Sequence, residues 1–218
     1  MNRAFTDEAI LVVSPHPDDA EIGMGGTIAK AICDCKKVVS LVLTDGRRSP
    51  RSFSCSDEEM AQIREREVAK AHYILGIEVL YYLKLHDLTS NLNRSVAEQK
   101  VAEVISAHHP KEIYLPHPEL DRHPTHRIAG RLVMDVAKRV SGVTIWAYEV
   151  WGLFPSWDRC EDISSYKDRK IEAIRCHQSQ ISDIDYADGI IGLNRWRAVF
   201  ANPAQLPKSG YVEAFVRL

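Results

Sequence analysis

Two short stretches concentrate side chains that could do chemistry. The first, P-H-P-D-D, follows an apolar run and carries His16, Asp18 and Asp19. The second, H-P-T-H, carries His123 and His126 at a spacing that places both on one face of a helix. Imidazole nitrogens and carboxylate oxygens bind zinc, and a catalytic zinc site uses three protein ligands and leaves one position open. Together the stretches predict a divalent metal site built from two distant parts of the chain.

Two other interpretations of the first stretch compete with the metal. Asp18 or Asp19 could accept backbone N–H bonds at a helix start, as capping residues do, but this leaves the histidine unexplained. The glycines Gly23, Gly25 and Gly26 suggest a dinucleotide loop, yet the G-x-G-x-x-G spacing is absent and two carboxylates stand where a pyrophosphate would lie. We favour the metal site, and a non-catalytic nucleotide-binding module stays as an alternative.

An alternation of apolar and amphipathic segments must position both stretches. The predicted strands span residues 9–14, 38–44, 78–85, 112–117, 143–151 and 211–218. The predicted helices span residues 25–35, 57–75, 95–109, 123–140 and 164–179, and a loop-rich stretch follows the last of them. This rhythm predicts an α/β fold with a Rossmann-like, doubly wound, mainly parallel sheet and helices on both faces. The two stretches follow the first and fourth strands, so we expect them to meet at one sheet edge.

Composition narrows the class of protein. The chain has 218 residues, 45% of them hydrophobic and 27% charged, which is ordinary for one globular domain, here expected over residues 1–218. A net charge of −2 provides no general attraction for nucleic acid or an anionic membrane. No apolar run approaches the roughly 18 residues of a membrane span, and the N-terminus lacks the apolar core of a signal peptide. We therefore expect a cytoplasmic protein.

Four segments together resemble a known family. They are P-H-P-D-D-A-E-I-G-M-G-G, I-R-E-R-E-V-A-K-A-H-Y-I-L-G, D-R-H-P-T-H and the closing Y-V-E-A-F. This combination resembles the LmbE-like (PIG-L) zinc-dependent N-deacetylases. The resemblance implies one zinc ion per chain, with His16, Asp19 and His126 as its ligands. It also implies that Asp18 is the general base, and that His123 protonates the leaving amine or stabilises the developing charge.

The resemblance assigns further roles and exposes one departure. Arg64 matches a substrate-binding arginine, although a helical arginine could also simply pair with Glu67 on the surface. Tyr211 matches a tyrosine that helps to polarise the acyl oxygen. The family usually reads H-P-D-H, whereas this chain has Thr125 in the third position, so a carboxylate that could orient the imidazole is missing. Asp121 is the substitute that the sequence offers.

The activity implied by the resemblance is hydrolysis of the acetamide of an N-acetylglucosamine-type sugar or sugar conjugate, which yields acetate and a free amine. The residues alone indicate only metal-assisted hydrolysis, so a zinc hydrolase of another small-metabolite amide or acyl bond is an alternative. We expect a small-molecule substrate, no nucleic-acid partner and no membrane span. Members of the family often form trimers or hexamers, so a homo-oligomer is also expected.

Several other polar residues have both structural and functional interpretations. Arg47, Arg48 and Arg51 form a basic loop that would contact a sugar or an anionic aglycone, or would simply face solvent. Glu149 and Trp151 end the fifth predicted strand on the ligand side of the sheet. They would line a sugar pocket or pack in the core.

Overall fold

One mixed sheet organises the protein. A computed structural model describes residues 8–50, 53–182, 184–201 and 210–218. Within these ranges the strands are β1 (Ala9–Ser14), β2 (Lys37–Thr44), β3 (Val79–Leu85), β4 (Glu112–Pro116), β5 (Thr144–Tyr148), β6 (Arg159–Asp162) and β7 (Val212–Arg217). They form a seven-stranded sheet in the order β3-β2-β1-β4-β5-β7-β6. The strands β1 to β5 are mutually parallel, whereas β7 is antiparallel to both β5 and β6.

The helices begin and end at local sequence signals. In the described ranges they are α1 (Asp19–Cys33), α2 (Asp57–Leu75), α3 (Asn91–His108), α4 (Pro124–Ala137), α5 (Lys167–Ile174), α6 (Gln178–Ile181) and α7 (Tyr186–Phe200). Ser56 and Glu59 form a reciprocal capping box at the start of α2. Gly76 ends this helix in the left-handed conformation, at φ +87°. Pro124 occupies the first turn of α4, where the missing N–H costs nothing.

The sheet is covered on both faces, as predicted. Leu11 and Val13 of β1 point into a core shared with α3 and α4. Ile10 and Val12 point into a second core, which is shared with α1 and α2. This alternation is the two-residue period of a strand, and apolar residues on both faces identify a buried, parallel strand. The α/β prediction with helices on both faces is confirmed.

The strand order creates a crevice at the ends of β1 and β4. The chain adds β2 and then β3 on one side of β1, and it returns to add β4 on the other side. Where the direction of winding reverses, the loops after the two neighbouring strands separate and leave room for a ligand. The loops that follow β1 and β4 carry the two chemistry-bearing stretches.

The structure departs from the predicted elements at α1, α7 and β6. The first helix begins at Asp19 rather than at residue 25, and it contains a break at Met24, with φ −148° and ψ 24°. The predicted segment is therefore only the part after the break, and the glycine cluster concealed the first turn. The region predicted as loop-rich contains α7, whose periodicity is weakened by Gly189 and Gly192. The strand β6 was also missed, because R-C-E-D is a short, half-buried, polar segment.

Among the helices of the described ranges, none is both long enough and apolar enough to cross a lipid bilayer.

Candidate metal centre and active site

Two loops at the switch point bring the chemistry together. Residues 15–18 join β1 to α1, and residues 117–123 join β4 to α4. Since β1 and β4 are parallel neighbours, both loops open at the same edge of the sheet. Thr44 holds the first loop in place, because its backbone N–H and its hydroxyl both donate to the Pro15 carbonyl, at 3.0 and 2.7 Å.

His16, Asp19 and His126 converge on one point. His16 Nδ1 lies 3.0 Å from His126 Nε2. The Asp19 carboxylate contacts both rings, with Oδ2 3.2 Å from His16 Nδ1 and Oδ1 3.2 Å from His126 Nε2. The His16 backbone N–H donates to Asp19 Oδ2 at 2.7 Å, which fixes the carboxylate relative to the loop. The structure thus brings together three residues that lie up to 110 positions apart in sequence.

The electrostatics of this group favour a cation. Asp19 and His126 are 1% and 0% exposed. Burial opposes the charge on Asp19, but His126 and His16 outweigh it and hold the pKa of the carboxyl well below its usual range. Burial also opposes the charge on His126, yet the carboxylates of Asp19 and Asp121 raise its pKa to about 10. Two imidazole nitrogens and a carboxylate oxygen that stabilise positive charge at one point are a donor set suited to zinc.

His123 is a further nitrogen donor at the same point. Its ring centroid lies 4.9 Å from that of His16 and 4.8 Å from that of His126. One nitrogen from each of these three histidines lies within 4.8 Å of the other two. His123 Nδ1 is buried without a hydrogen-bond partner. Burial, together with the two neighbouring imidazoles, lowers the pKa of His123. The ring is placed to act on a group bound beside the metal, or to serve as a ligand in place of Asp19.

Asp121 supports this group from behind. Its Oδ2 lies 3.1 Å from His126 Nδ1, and its Oδ1 accepts the backbone N–H of His123 at 2.8 Å. A carboxylate on Nδ1 fixes the tautomer of a ligating histidine and turns Nε2 toward the metal. The sequence offered Asp121 as a substitute for the aspartate missing at Thr125. The side chain instead bonds the His126 ring and the backbone of His123, rather than the His123 imidazole.

Asp18 lies against a buried arginine. Arg64 Nη2 is 2.8 Å from Asp18 Oδ1, and Arg64 is 3% exposed. The alternative pairing with Glu67 is wrong, because the Glu67 carboxylate accepts the backbone N–H and the hydroxyl of Ser179, both at 2.7 Å. Gly46 has φ +64°, and a Cβ there would collide with the Arg64 guanidinium, so glycine is required on both counts.

The two competing interpretations of the first stretch lose their support. Asp18 stands at the N-cap position of α1 but makes no side-chain capping hydrogen bond. The glycines serve close packing rather than a phosphate. A Cβ on Gly23 would collide with the Tyr148 ring, and a Cβ on Gly26 would lie 2.6 Å from Ile163.

Tyr211 lies apart from the group. Its ring faces Lys167 Nζ at 5.3 Å from the centroid, and its backbone N–H donates to Ser164 Oγ at 3.0 Å. It immediately precedes β7, which lies three strand positions from β1, about 14 Å at the usual strand spacing. Among the residues that the structure describes, no hydrogen bond or ring contact joins Tyr211 to the three histidines.

The remaining predicted residues that the structure describes either form ion pairs within this chain or line a cavity. Glu149 is 4% exposed and pairs with Arg197, so it does not line a pocket. Trp151 is 46% exposed and lines a cavity beside the site. Arg47 Nη2 lies 2.8 Å from Asp45 Oδ2, and its Nη1 lies 2.8 Å from Glu58 Oε1. Arg48 Nη1 lies 3.7 Å from Asp87 Oδ2, whereas Arg51 is outside the described residues.

Sequence reasoning missed the role of Glu213. Its carboxylate accepts the backbone N–H groups of Gly26 and Thr27, at 3.0 and 2.7 Å, and lies 2.6 Å from Lys170 Nζ. Both N–H groups lie in the first turn after the break in α1, where backbone donors lack partners within the helix, so Glu213 caps the second part of that helix. The only signal was its place in the closing Y-V-E-A-F segment. A strand-like pattern does not reveal which helix such a carboxylate will reach.

Comparisons with known proteins identify relatives of this chain. The family model described as "PIG-L: GlcNAc-PI de-N-acetylase" matches residues 11–137. The chain is 30% identical over 201 residues to the diacetylchitobiose deacetylase of Thermococcus kodakarensis, with 84% of this chain and 74% of that protein covered. It is 28% identical over 183 residues to the probable N-acetyl-alpha-D-glucosaminyl L-malate deacetylase 2 of Bacillus cereus, with coverages of 78% and 83%.

Solved structures show the same fold. The N,N'-diacetylchitobiose deacetylase of Pyrococcus horikoshii superposes with a TM-score of 0.82 at 27% identity, with 97% of this chain and 84% of that chain covered. The 4-carboxy-2-hydroxymuconate hydratase of Pseudomonas putida superposes with a TM-score of 0.84 at 19% identity, with coverages of 97% and 96%. That likeness concerns the fold alone, since a hydratase catalyses a different reaction on it. Because the family match spans more than half of the chain and includes both chemistry-bearing stretches, the chain belongs to the PIG-L family.

Proposed function

We propose that this protein is a zinc-dependent N-deacetylase that hydrolyses the acetamide of an N-acetylglucosamine-type sugar or sugar conjugate. One observation carries the proposal. Beside a donor set suited to zinc, Asp18 pairs with Arg64, and His123 has a buried Nδ1 without a hydrogen-bond partner. A purely structural metal site would need neither group. The named activities of the relatives supply the substrate class.

His16, Asp19 and His126 would hold the metal, with Asp121 fixing the ring of His126. Zinc bound by such ligands lowers the pKa of a water molecule toward about 7 and polarises a carbonyl oxygen. The chain's own residues then have to move two protons, one from the attacking water and one to the departing nitrogen.

Asp18 takes the first proton. Its carboxylate is next to a ligand in sequence but faces Arg64, whose guanidinium keeps it in a fixed orientation 2.8 Å away. The base receives the proton as the water oxygen bonds to the acyl carbon. Arg64 is therefore a positioning residue in this proposal, and its burial leaves little of it to meet a sugar.

His123 gives the second proton. Burial and two neighbouring imidazoles lower its pKa, so the protonated ring releases a proton readily. As the carbon–nitrogen bond breaks, the nitrogen takes that proton and leaves as a free amine, while the acyl group leaves as acetic acid, which keeps the second proton of the water and releases it to solvent to give acetate. Tyr211 has no part in this scheme, because its ring lies beside Lys167.

Metal analysis combined with an amine-release assay tests the proposal. The purified protein should contain about one zinc per chain and release amine from N-acetylglucosamine or its conjugates. Asp18→Asn should keep the zinc and lose roughly 10²- to 10⁴-fold in turnover, as expected for a general base. Asp34→Asn, an exposed residue at the other end of α1, is the matched control. Normal turnover in zinc-loaded Asp18→Asn would show that another group accepts the proton.

A further inference from the structure

A cavity of about 330 Å³ opens beside the metal-binding group. Its walls are the first turns of α1, the segment after β5 and the first half of α7, and they include Ile22, Trp151, Leu153 and Tyr186. The Trp151 and Tyr186 rings meet edge to face, with centroids 5.8 Å apart. The catalytic scheme does not use this cavity.

The cavity adjoins the loop after β4 that supports the site. The Trp151 backbone N–H lies 3.4 Å from Asp121 Oδ2, on the carboxylate that supports His126. The next residue, Gly152, packs so closely on the loop after β4 that a Cβ would lie 2.7 Å from Asp121 Cα. On the opposite wall, burial raises the pKa of Tyr186, and the charge of Asp18 raises it further.

The lining selects for an uncharged occupant. Asp185 is the one charged residue among the ten that line the cavity, and its carboxylate already accepts the Asp188 backbone N–H at 3.0 Å. In the basic loop, Arg47 and Arg48 already face carboxylates of this chain, so they are not the cations that an anionic group in the cavity would need. Among the described residues that line this cavity, no cationic side chain would therefore compensate a carboxylate or phosphate on the substrate for lost hydration.

The size and the aromatic wall suit one ring. A cavity of about 150 Å³ is enough to hold benzene, and 330 Å³ is at the low end of the usual range for ligand pockets. Trp151 is 46% exposed and presents a flat apolar surface. Both an aryl group and the apolar face of a second pyranose could pack on such a surface.

We infer that this cavity is the subsite for the group attached to the glucosamine ring, and that it takes an uncharged ring with an apolar face. This inference rests on the proposed function and names the class of conjugate that the site prefers. A phenyl or second-sugar glycoside should be used better than a glycoside that carries a carboxylate in the same place.

Two glycines of α7 give a matched test. Gly189 lines the cavity and Gly192 does not, and a Cβ at either position meets nothing within 4 Å. Gly189→Leu should therefore fill the cavity without distorting the helix, while Gly192→Leu makes the same change outside it. With the zinc enzyme, the ratio of kcat/KM for phenyl N-acetyl-β-glucosaminide to that for N-acetylglucosamine should fall about tenfold or more in Gly189→Leu. Gly192→Leu should keep the wild-type ratio.

Tryptophan variants and substrate competition provide a second comparison. Trp151→Ala should lower the same ratio, whereas Trp196→Ala, which removes a tryptophan that is 59% exposed on α7 outside the cavity, should not. In wild type, a malate glycoside should have a lower kcat/KM than the phenyl glycoside. A wild-type enzyme that prefers the malate glycoside, or equal ratios in the two glycine variants, would overturn the inference.

Calorimetry separates this inference from the proposed function. Phenyl N-acetyl-β-glucosaminide should bind to zinc-loaded Asp18→Asn, and adding Gly189→Leu should weaken that binding about tenfold or more. If no sugar is deacetylated but this binding pattern holds, the proposed function fails and the subsite stands. If Gly189→Leu leaves binding intact and instead changes the molar mass in light scattering, the cavity is an interface with a second copy and the inference is wrong.

Discussion

Two parts of this sheet use buried carboxylates in opposite ways. In the parallel part, from β1 to α4, the Asp19 carboxylate faces His16 and His126, whose ring nitrogens need a proton or a metal to complete their interaction. In the C-terminal part, from β6 to β7, the Glu213 carboxylate is matched within the chain by Lys170 and by two backbone N–H groups. A carboxylate of the first kind marks a site for a cation, and one of the second kind braces the fold.

The C-terminal part supports the site through more than one such brace. Arg197 of α7 pairs with Glu149, which follows β5, and its Nη2 donates to the Phe154 carbonyl at 2.9 Å. Ser179 of α6 donates to Glu67 of α2. Each brace joins a late element to an early one, so the parallel part is held in place from outside. The family match ends at residue 137, before these late elements begin.

The substitution with the largest expected effect should remove the metal and preserve the fold. His126→Ala should reduce the zinc content from about one per chain to near zero and abolish turnover, because two donors rarely hold a catalytic zinc. Elemental analysis measures the metal, and circular dichroism checks the fold. His117→Ala is the control from the same loop, since His117 Nδ1 accepts the backbone N–H groups of Glu119 and Leu120. Full occupancy in His126→Ala would remove His126 from the ligand set.

The substitution with the next largest effect should break a buried ion pair of the C-terminal part and leave metal binding unchanged. Lys170→Met would leave Glu213 buried without its cation, which should cost about 3–5 kcal/mol in the free energy of unfolding. Urea denaturation measures this loss, and the zinc content should not change. Arg131→Met, which breaks an exposed pair with Glu119, should cost less than about 1 kcal/mol. If both variants lost the same stability, the contrast between the two parts of the sheet would disappear.

A smaller effect on zinc affinity is expected when the carboxylate that orients His126 is removed. Asp121→Asn removes the negative charge behind His126 and should weaken zinc binding by about 10- to 100-fold. Competition with a chelator of known affinity measures the change. Asp135→Asn, on the exposed face of α4, should bind zinc as wild type does. Equal affinities in the two variants would mean that Asp121 supports the loop and has no effect on the metal.

The smallest effect tests the departure at Thr125. Burial and two imidazoles lower the pKa of His123, and a carboxylate at position 125 would favour the protonated ring. Thr125→Asp should therefore extend the acid form to higher pH, and the alkaline limb of the kcat/KM profile should move up by less than about one pH unit. Thr125→Asn adds no charge and should keep the wild-type limb. A profile that overlays wild type in both variants would show that position 125 does not act on His123.

The parallel part was largely predictable, because its signals are local. The helix predicted over residues 57–75 has the bounds of α2, and the apolar runs mark β1 to β5 within a few residues. The elements of the C-terminal part were not predictable from local signals, since α7 contains two glycines and β6 is short and polar. Such elements form because neighbouring elements cover them, which overrides their weak intrinsic preference.

The sequence alone predicts which donor residues meet at one edge of the sheet. His16 and Asp19 follow one strand and His126 follows another, and parallel strands in this order must bring their carboxyl ends to one edge. Only the tertiary structure decided how those residues are supported. Asp121 bonds His126 rather than the His123 ring, and Arg64 pairs with Asp18 rather than with its helical neighbour. The physical reason is that donor type and strand order are read along the chain, whereas the partner of a long or buried polar side chain depends on which distant atoms lie within about 3 Å.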